Sequence, residues 1–421
     1  MPSYPTDLNP SEQRLAQTRL RELAETFTEA GALRTPAWRE VFQRTWRHPY
    51  IPSYYPDPAG PCLLSIDPQR RGEWLAAVYS DQTLGTKVVQ VPMPRALRPG
   101  TAPILTSSST LPSLVLRMLE ELDVTDGHRV LEIGTGTGYN AALLCERLGS
   151  EYVTSVDIDP ELIELAAERL AANGYTPTLA AVDGAGGYPP GAPYDRIIAT
   201  CSVPAIPPAW LEQTSPGAVI LADVHGKIGG TLARLIIDGE GIATGRFLPL
   251  GTAFMWLRHA LDFSPPPMRE PEGEPMHSVT TVDPTLLHTS SLFGFVAQWH
   301  LLGGASAEGH LPEVAWSMLT DNGASSVHLQ ASDGSRASVH ATAVNGEFPV
   351  TQYGPSRLWD RVEDAHEFWH QTGQPPYSRF GITATATEQY VWYDHPDSEH
   401  RWRLPTPTLP RTTGYEASVA R

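Results

Sequence analysis

The feature that most constrains the fold is a glycine-rich turn that follows a short apolar run. The run ends in Val130-Leu131-Glu132-Ile133, and the turn reads Gly134-Thr135-Gly136-Thr137-Gly138. A helical pattern follows over 139–148. Glycines after a buried strand let the backbone approach a ligand and lead into a helix N-terminus. The segment therefore predicts the first βα unit of an α/β sheet, with a ligand at the turn.

Strand and helix patterns alternate on both sides of this unit. Strands are predicted at 152–156, 178–182, 194–200 and 218–222, further strands at 231–237 and 253–257, and helices at 112–123 and 160–173. Such alternation is typical of a doubly wound, mostly parallel sheet.

The flanking sequence has a different character. Helices are predicted over 11–31, after Pro36 and over 73–80, whereas 264–284 contains six prolines and reads as a linker. Beyond it, runs of period two are separated by Asp333-Gly334 and Asn345-Gly346, which are strong hairpin signals. We therefore expect an N-terminal helical and irregular extension (1–100), an α/β core (101–260), a Pro-rich linker (261–284) and a smaller α+β region (285–421) that recognises a peptide.

Composition excludes several classes of function. The chain of 421 residues carries a formal net charge of −17, which argues against nucleic acid and anionic lipid as partners. It lacks an apolar run long enough to span a membrane, and its first residues lack the layout of a signal peptide. The three cysteines, Cys62, Cys145 and Cys201, are far apart, so we expect free thiols and a cytoplasmic location.

Acidic residues at the strand ends indicate the ligand. Glu132 precedes the first glycine and suits a cationic or amine-bearing group better than a pyrophosphate, and the turn lacks the Gly-x-Gly-x-x-Gly spacing. Asp157 ends the second strand, where a carboxylate accepts ribose hydroxyls, and Asp183-Gly184 ends the third, where it would hold an adenine edge. The set favours S-adenosylmethionine (SAM); the alternatives are NAD or a scaffold without a ligand.

With these residues in place, 36–258 resembles the protein-L-isoaspartate O-methyltransferase family. The resemblance rests on Val130–Gly138, Asp183-Gly184, Ala192–Thr200, Ile206–Gln213, Pro216-Gly217 and Leu105–Pro112. It implies a Rossmann-like class I SAM methyltransferase that modifies a carboxylate. In the family, the serine of a Thr-Ile-Ser-x-Pro signature lies beside the methyl donor and the substrate carboxylate. Thr110 takes its place here, after Ser108 and Ser109.

The candidate residues follow from the motif and from the resemblance. The catalytic candidates are Thr110, Ser109 and Ser108, and the cofactor-binding candidates are Ser107, Glu132, Gly134, Thr135, Gly136, Gly138, Tyr139, Asp157, Ile158, Asp183, Gly184 and Thr200. Methyl transfer to an ionised carboxylate needs no strong base, but it needs alignment and partial removal of water. The hydroxyls of 106–110 are neutral donors suited to that task; the alternative is an ordinary helix N-cap.

The whole-chain layout resembles isoaspartate-methyltransferase homologues encoded with ATP-grasp-tailored ribosomal peptides (graspetides) and, less closely, those of lanthipeptides. The cues are Thr200-Cys201-Ser202-Val203, Ile206-Pro207-Pro208-Ala209-Trp210 and Ser107–Thr110. The resemblance implies methylation of an aspartate in a macrocyclised precursor peptide, followed by closure to a succinimide (aspartimide).

Other functions remain open at this point. They are general isoaspartyl repair and a non-catalytic module that binds SAM or a peptide. In either enzymatic case an acidic chain must accept an acidic substrate, so we expect a local basic pocket. Its candidate residues are Arg34, Arg39, Arg44 and Arg47.

One metal-binding pattern stands apart from the rest. His366-Glu367-Phe368-Trp369-His370 matches the His-Glu-x-x-His zinc motif. A clear third ligand is missing nearby in sequence, and Trp359 and Trp369 give the segment the spacing of a packing face. We therefore expect a chance match and no metal, with a zinc hydrolase as the alternative.

Overall fold

The computed structural model describes residues 6–92, 100–252, 254–259, 273–302, 314–321 and 324–405. The helices are α1 (Pro10–Glu29), α2 (Pro36–Arg44), α3 (Arg71–Val78), α4 (Pro112–Leu122), α5 (Tyr139–Leu148), α6 (Pro160–Ala172), α7 (Pro208–Glu212), α8 (Leu286–Thr289), α9 (Ser291–Leu302) and α10 (Leu358–Gln371). Within the described ranges, every helix is too short or too polar to cross a membrane.

Most strands belong to two sheets. They are β1 (Ser53–Tyr54), β2 (Leu63–Leu64), β3 (Leu84–Pro92), β4 (Thr101–Ser109), β5 (Val130–Ile133), β6 (Val153–Asp157), β7 (Thr178–Ala181), β8 (Tyr194–Val203), β9 (Thr214–His225), β10 (Gly230–Ile237), β11 (Ala243–Phe247), β12 (Met276–Thr280), β13 (Val314–Asp321), β14 (Ala324–Ala331), β15 (Arg336–His340), β16 (Phe348–Tyr353), β17 (Phe380–Ala384), β18 (Gln389–Tyr393) and β19 (Arg401–Arg403). The pairs β1–β2, with two residues in each strand, and β3–β4, with nine in each, form two separate antiparallel ribbons.

The central sheet has ten strands in the order β19-β18-β17-β11-β10-β9-β8-β5-β6-β7. Strands β5 to β9 pair in parallel, and every pair from β9 to β19 is antiparallel. The α/β class is confirmed, but the sheet is mixed rather than mostly parallel. The chain runs outward from β5 to β7 and then returns to β8 on the other side of β5, so the topological switch point lies between β5 and β8.

Apolar side chains cover both faces of this sheet. Adjacent residues of β8 point to opposite faces because side chains alternate along a strand. Ile197 packs into a core that contains Trp210 and Trp299, whereas Ile198 packs into a core that contains Leu116. Helices α1 to α6 lie on the second face, so the predicted N-terminal extension packs against the core of the α/β unit.

The C-terminal region is joined to the central sheet. Strand β17 pairs with β11, which extends the sheet by three strands. The remaining strands form a second, five-stranded sheet in the order β12-β16-β15-β14-β13, and its buried side chains share a core with α9 and α10. The hairpins at Asp333-Gly334 and Asn345-Gly346 are confirmed.

Two sequence-based expectations differ from the structure. Strand β12 lies within the range assigned to a linker and pairs with β16, because its backbone groups complete the edge of the second sheet. A strand was expected over 253–257; Ala253 and 260–272 lie outside the described residues, and the described part makes a single bridge between Trp256 and Ser202. The backbone of 254–258 pairs with β8 at that one residue and does not continue as a strand.

The hairpin β3–β4 lies beside the switch point and is attached to α6. The ammonium group of Lys87 lies 2.6 Å from Asp159 and 2.5 Å from Glu161, at the N-terminus of that helix. The hydrogen bond with Lys87 lowers the pKa of Glu161. These ion pairs hold β4, with its row of hydroxyl residues, against the carboxyl ends of the parallel strands.

Candidate functional site

The ends of β5 and β8 meet in a close contact at the switch point. The hydroxyl of Thr200 donates to the carbonyl of Gly134 at 2.8 Å. A Cβ atom on Gly134 would lie 2.6 Å from that hydroxyl, and the residue has a φ of +100°, so only glycine fits. Ligands of open α/β sheets bind in the crevice at such a point, outside the carboxyl ends of the strands.

A cavity of about 360 Å³ opens there, a volume in the range of small-molecule sites. It brings together nine of the predicted residues: Ser107, Ser108, Thr110, Gly134, Gly136, Asp157, Ile158, Gly184 and Thr200. A smaller cavity of about 40 Å³ adds Ser109, Glu132, Thr135 and Tyr139.

Two predicted residues line neither cavity. Gly138 packs against α6: a Cβ atom there would lie 3.2 Å from that of Ala166, and φ is +87°. The carboxylate of Asp183 accepts a hydrogen bond from the backbone of Ala185 and lies 3.0 Å from Nδ1 of His259. That contact raises the pKa of His259.

Glu132 is a fully buried carboxylate at the small cavity. Oε1 accepts from the amide of Asn140 at 2.7 Å, and Oε2 accepts from the hydroxyl of Ser155 at 2.6 Å. Burial raises the pKa of Glu132 to about 7; the two hydrogen bonds oppose the rise, and the charge of Asp157 adds to it. A bound cation would reverse this effect, because an opposite charge favours the ionised form.

Asp157 organises the glycine turn. Its Oδ2 accepts from the backbone amide of Gly136 at 3.0 Å, and its Oδ1 accepts from that of Asp159 at 3.1 Å. Burial raises the pKa of Asp157, while these hydrogen bonds and the charge of Arg258 lower it. The carboxylate thus faces the cavity with its orientation fixed by the backbone.

The hydroxyl row, Thr106 to Thr110, lies on β4 and at its end. Ser107 and Ser109 are buried, whereas Ser108 and Thr110 are half-buried and line the larger cavity. The N-cap alternative is wrong, because α4 has Leu111 at its N-cap and lacks a side-chain cap. Thr106 and Ser107 also line the larger cavity and Ser109 lines the smaller one, so all five residues of the row border the site.

The opposite wall of the cavity was missed by the sequence analysis. It is formed by 251–252 and 254–258, with Trp256 and Arg258 among its side chains. Arg258 donates to the carbonyl of Thr106 at 3.1 Å, which joins the two walls. The segment is held by Ser202, whose backbone amide donates to Met255 and whose carbonyl accepts from Leu257, both at 2.9 Å.

A buried carboxylate, Asp223, anchors this wall. It accepts hydrogen bonds from the hydroxyls of Ser202 and Thr252 and from the backbone amide of Phe254. Burial raises its pKa, but the contact with His225 and these hydrogen bonds outweigh burial, and the pKa is lowered. The one available signal was an aspartate within the apolar sequence of β9.

The pair His366 and His370 lies on α10, with 3.1 Å between the two Nε2 atoms. Among the residues that the structure describes, no group of three or more potential metal-ligating side chains is found. The motif therefore lacks a third ligand within that part of the chain.

Comparisons with known proteins agree with the geometry. Residues 95–239 match the family model "Protein-L-isoaspartate(D-aspartate) O-methyltransferase (PCMT)". Curated protein-L-isoaspartate O-methyltransferases are similar to this chain: that of Ignicoccus hospitalis is 40% identical over 142 residues, which are 33% of this chain and 67% of the relative. That of Methanococcus maripaludis strain C5 is 46% identical over 139 residues, or 32% and 66% of the two chains.

Coverage of the relatives varies. Protein-L-isoaspartate O-methyltransferase 1 of Archaeoglobus fulgidus is 46% identical over 115 residues, 27% of this chain and 53% of the relative. The chain thus spans between about half and two thirds of the length of these relatives. A solved protein-L-isoaspartate O-methyltransferase superposes with a TM-score of 0.49 and 17% identity, covering 89% of this chain and 100% of that one.

Proposed function

The chain belongs to the protein-L-isoaspartate O-methyltransferase family, and we propose that it is a SAM-dependent enzyme that methylates the side-chain carboxylate of an aspartyl or isoaspartyl residue. The observation that carries this proposal is the cavity at the switch point. It joins the glycine turn, the carboxylate of Asp157 and the hydroxyls of Ser108 and Thr110.

The residues present fit the cofactor. Glu132 and Asp157 are carboxylates at a buried turn and would hold its cationic and hydroxyl-bearing parts, together with Gly134, Gly136 and Thr200. The remaining cofactor candidates are Ser107, Thr135, Gly138, Tyr139, Ile158, Asp183 and Gly184. When bound, SAM supplies a methyl group on a positively charged sulfur.

The substrate side requires orientation rather than a base. An aspartyl carboxylate is ionised at neutral pH, so it is already a nucleophile. Ser108 and Thr110 are neutral donors that hold one carboxylate oxygen while the other stays free to react, and Ser109 supports them from behind. The hairpin β3–β4 and the wall 254–258 limit the access of water.

Two substrate classes are proposed. General isoaspartyl methylation is the first, and the names of the relatives favour it. The second is one aspartate of a macrocyclised ribosomal peptide, whose methyl ester closes to aspartimide. It is favoured by the wall 254–258 and the C-terminal region, which lie beyond the matched residues 95–239. A C-terminal region that recognises the peptide, and a cytoplasmic location in keeping with three free cysteines, complete this proposal.

Mass spectrometry of peptides incubated with the enzyme and SAM tests both classes. One substrate is a generic isoaspartyl peptide, and the other is a macrocyclised peptide encoded beside the gene. Gain of one methyl group on the first supports repair; gain on the second, followed by loss of methanol, supports peptide tailoring. Modification of neither peptide refutes the proposed function.

A matched pair of variants connects the activity with the site. Thr110→Val removes a hydroxyl at the cavity, and we expect a loss of turnover of about tenfold or more. Thr101→Val makes the same change at the exposed start of β4 and serves as the control. Equal turnover by the two variants would place the chemistry elsewhere.

A further inference from the structure

An acidic chain that accepts a carboxylate needs positive charge near the reacting group. Of the four arginines that the sequence suggests, three lie on the surface: Arg34 and Arg44 form ion pairs with glutamates, and Arg39 donates to a threonine hydroxyl. Arg47 differs from them, because it is 2% exposed and lies directly behind the hydroxyl row.

The guanidinium of Arg47 connects two segments of backbone. Its Nη2 donates to the carbonyls of Ser109 and Thr110, each at 3.0 Å, and to the hydroxyl of Ser109. Its Nη1 donates to the carbonyls of Val78 and Ser80, and its Nη2 donates also to that of Gln82, at 3.0–3.3 Å. The end of β4 and the loop after α3 are thereby joined through one side chain.

The same loop also receives the first turn of α4. The backbone amide of Leu111 donates to the hydroxyl of Thr83 at 3.1 Å, and that of Ser113 donates to Asp81 at 2.9 Å. These contacts and those of Arg47 lie on either side of Thr110. The position of the Thr110 hydroxyl therefore depends on the loop, and the loop depends on Arg47.

A planar guanidinium suits this position in a way that an ammonium group does not. Arginine presents five N–H donors in a rigid fork, whereas lysine has three donors on a single atom at the end of a flexible stem. Here Nη1 donates to the carbonyls of Val78 and Ser80, while Nη2 donates to others, among them those of Ser109 and Thr110. The single nitrogen of an ammonium group cannot occupy both positions. The substitution Arg47→Lys therefore keeps the charge but loses the bridge.

The positive charge of Arg47 is stabilised by the dipoles of backbone carbonyls and of one hydroxyl group. Every hydrogen-bond acceptor described for it is a neutral oxygen, and Asp81 acts on it only over a longer range. Burial lowers the pKa of Arg47 to about 10, so the group stays protonated at neutral pH. A buried cation without a carboxylate contact is costly to folding, and its field reaches the adjacent cavity.

We propose that Arg47 is a positioning residue for methyl transfer: it holds Ser109 and Thr110 in the hydroxyl row, and its positive charge favours a carboxylate substrate there. The identity of that substrate rests on the proposed function. Both roles belong to a residue that lies outside the matched range 95–239.

The test compares Arg47→Lys and Arg47→Met with Arg71→Lys. Arg71 is a matched control. Its guanidinium also donates to partners in the N-terminal part of the chain, among them Glu12 and the carbonyl of Ser65, but it lines neither cavity. We expect kcat/KM for the methylated peptide to fall by about 100-fold in Arg47→Lys and further in Arg47→Met, as displacement of an aligned group does. SAM affinity, measured by calorimetry, stays within about threefold of wild type.

Hydrogen exchange separates this inference from the proposed function. Arg47→Lys is expected to speed amide exchange at Leu111, the N-cap of α4, and at Ser113 more than in the rest of that helix, whether or not a substrate peptide is known. Unchanged exchange there, or a kcat/KM equal to that of Arg71→Lys, would overturn the positioning role. A parallel fall in SAM affinity would also overturn it, since the whole cavity would then have been disturbed. Inactivity of the wild type towards both peptides, with the exchange effect present, would refute the proposed function alone.

Discussion

Replacement of Glu132 by glutamine is expected to stabilise the ligand-free protein at alkaline pH and to weaken cofactor binding. The pKa of Glu132 in the folded state is about 7, against 4.5 for the free side chain. At 1.36 kcal/mol per pH unit, ionising this buried group costs about 3 kcal/mol of folding free energy. Glutamine has the same shape, can still accept from Asn140 and can donate to Ser155.

The sign of the pH dependence follows from the direction of this shift. Below pH 4 the group is protonated in both states and contributes nothing. Between about pH 4.5 and pH 7 the unfolded chain releases its proton while the folded chain retains it, so wild-type stability falls relative to Glu132→Gln. Above pH 7 the difference stays constant, near 3 kcal/mol.

Urea unfolding of the two proteins between pH 4 and pH 8 measures this increment. Glu164→Gln, an exposed position on α6, is the control for loss of one negative charge. Calorimetry at pH 8 should then show at least tenfold weaker SAM binding to Glu132→Gln, because the opposite charge is missing. A stability difference that stays flat across the pH range would refute the reasoning.

Three further predictions follow from contacts around the site. Gly138→Ala should destabilise the fold by about 2 kcal/mol or more, because φ is +87° and the new Cβ would press on Ala166; thermal unfolding checks this. Lys87→Met should cost about 1–2 kcal/mol and raise KM for the peptide, since both ion pairs of the β3–β4 hairpin are lost; an unchanged KM would contradict it. His366→Ala with His370→Ala should leave methyl transfer unchanged, and elemental analysis should find far less than one zinc per wild-type chain.

The parallel half of the fold was predictable because local patterns determine it. Strand β5, which contains Glu132, is apolar in sequence and buried in the structure, and the glycines of the turn after it adopt positive φ values. The sequence pattern and the backbone geometry thus agree. The positions of Glu132, Asp157 and Asp183 near the carboxyl ends of β5, β6 and β7 follow from the same alternation of strands and helices. Most of the predicted site residues therefore meet at one cavity.

The features that sequence analysis missed depend on contacts between distant segments. Asp223 reads as one polar residue in an apolar strand, and its role emerges only from its hydrogen bonds with Thr252 and Phe254. Asp183 is predicted to face a ligand, and its contact with His259, 76 positions further along the chain, is a pairing that the sequence does not indicate. Arg47 appears in the sequence as one of several basic residues, and only burial distinguishes it from Arg34 and Arg44. Periodicity carries no information on such pairings.

The pairing of β11 with β17 also affects how the protein folds during its synthesis. Ribosomes add roughly 5–20 residues per second, so more than a hundred residues must be synthesised, over on the order of ten seconds, before Phe380–Ala384 can cover the edge at Ala243–Phe247. During that time the edge of β11 is open to pairing with another chain. In a chain truncated near residue 258, the edge of β11 would remain unpaired. We therefore expect residues 1–258 alone to aggregate rather than to remain as a small active enzyme.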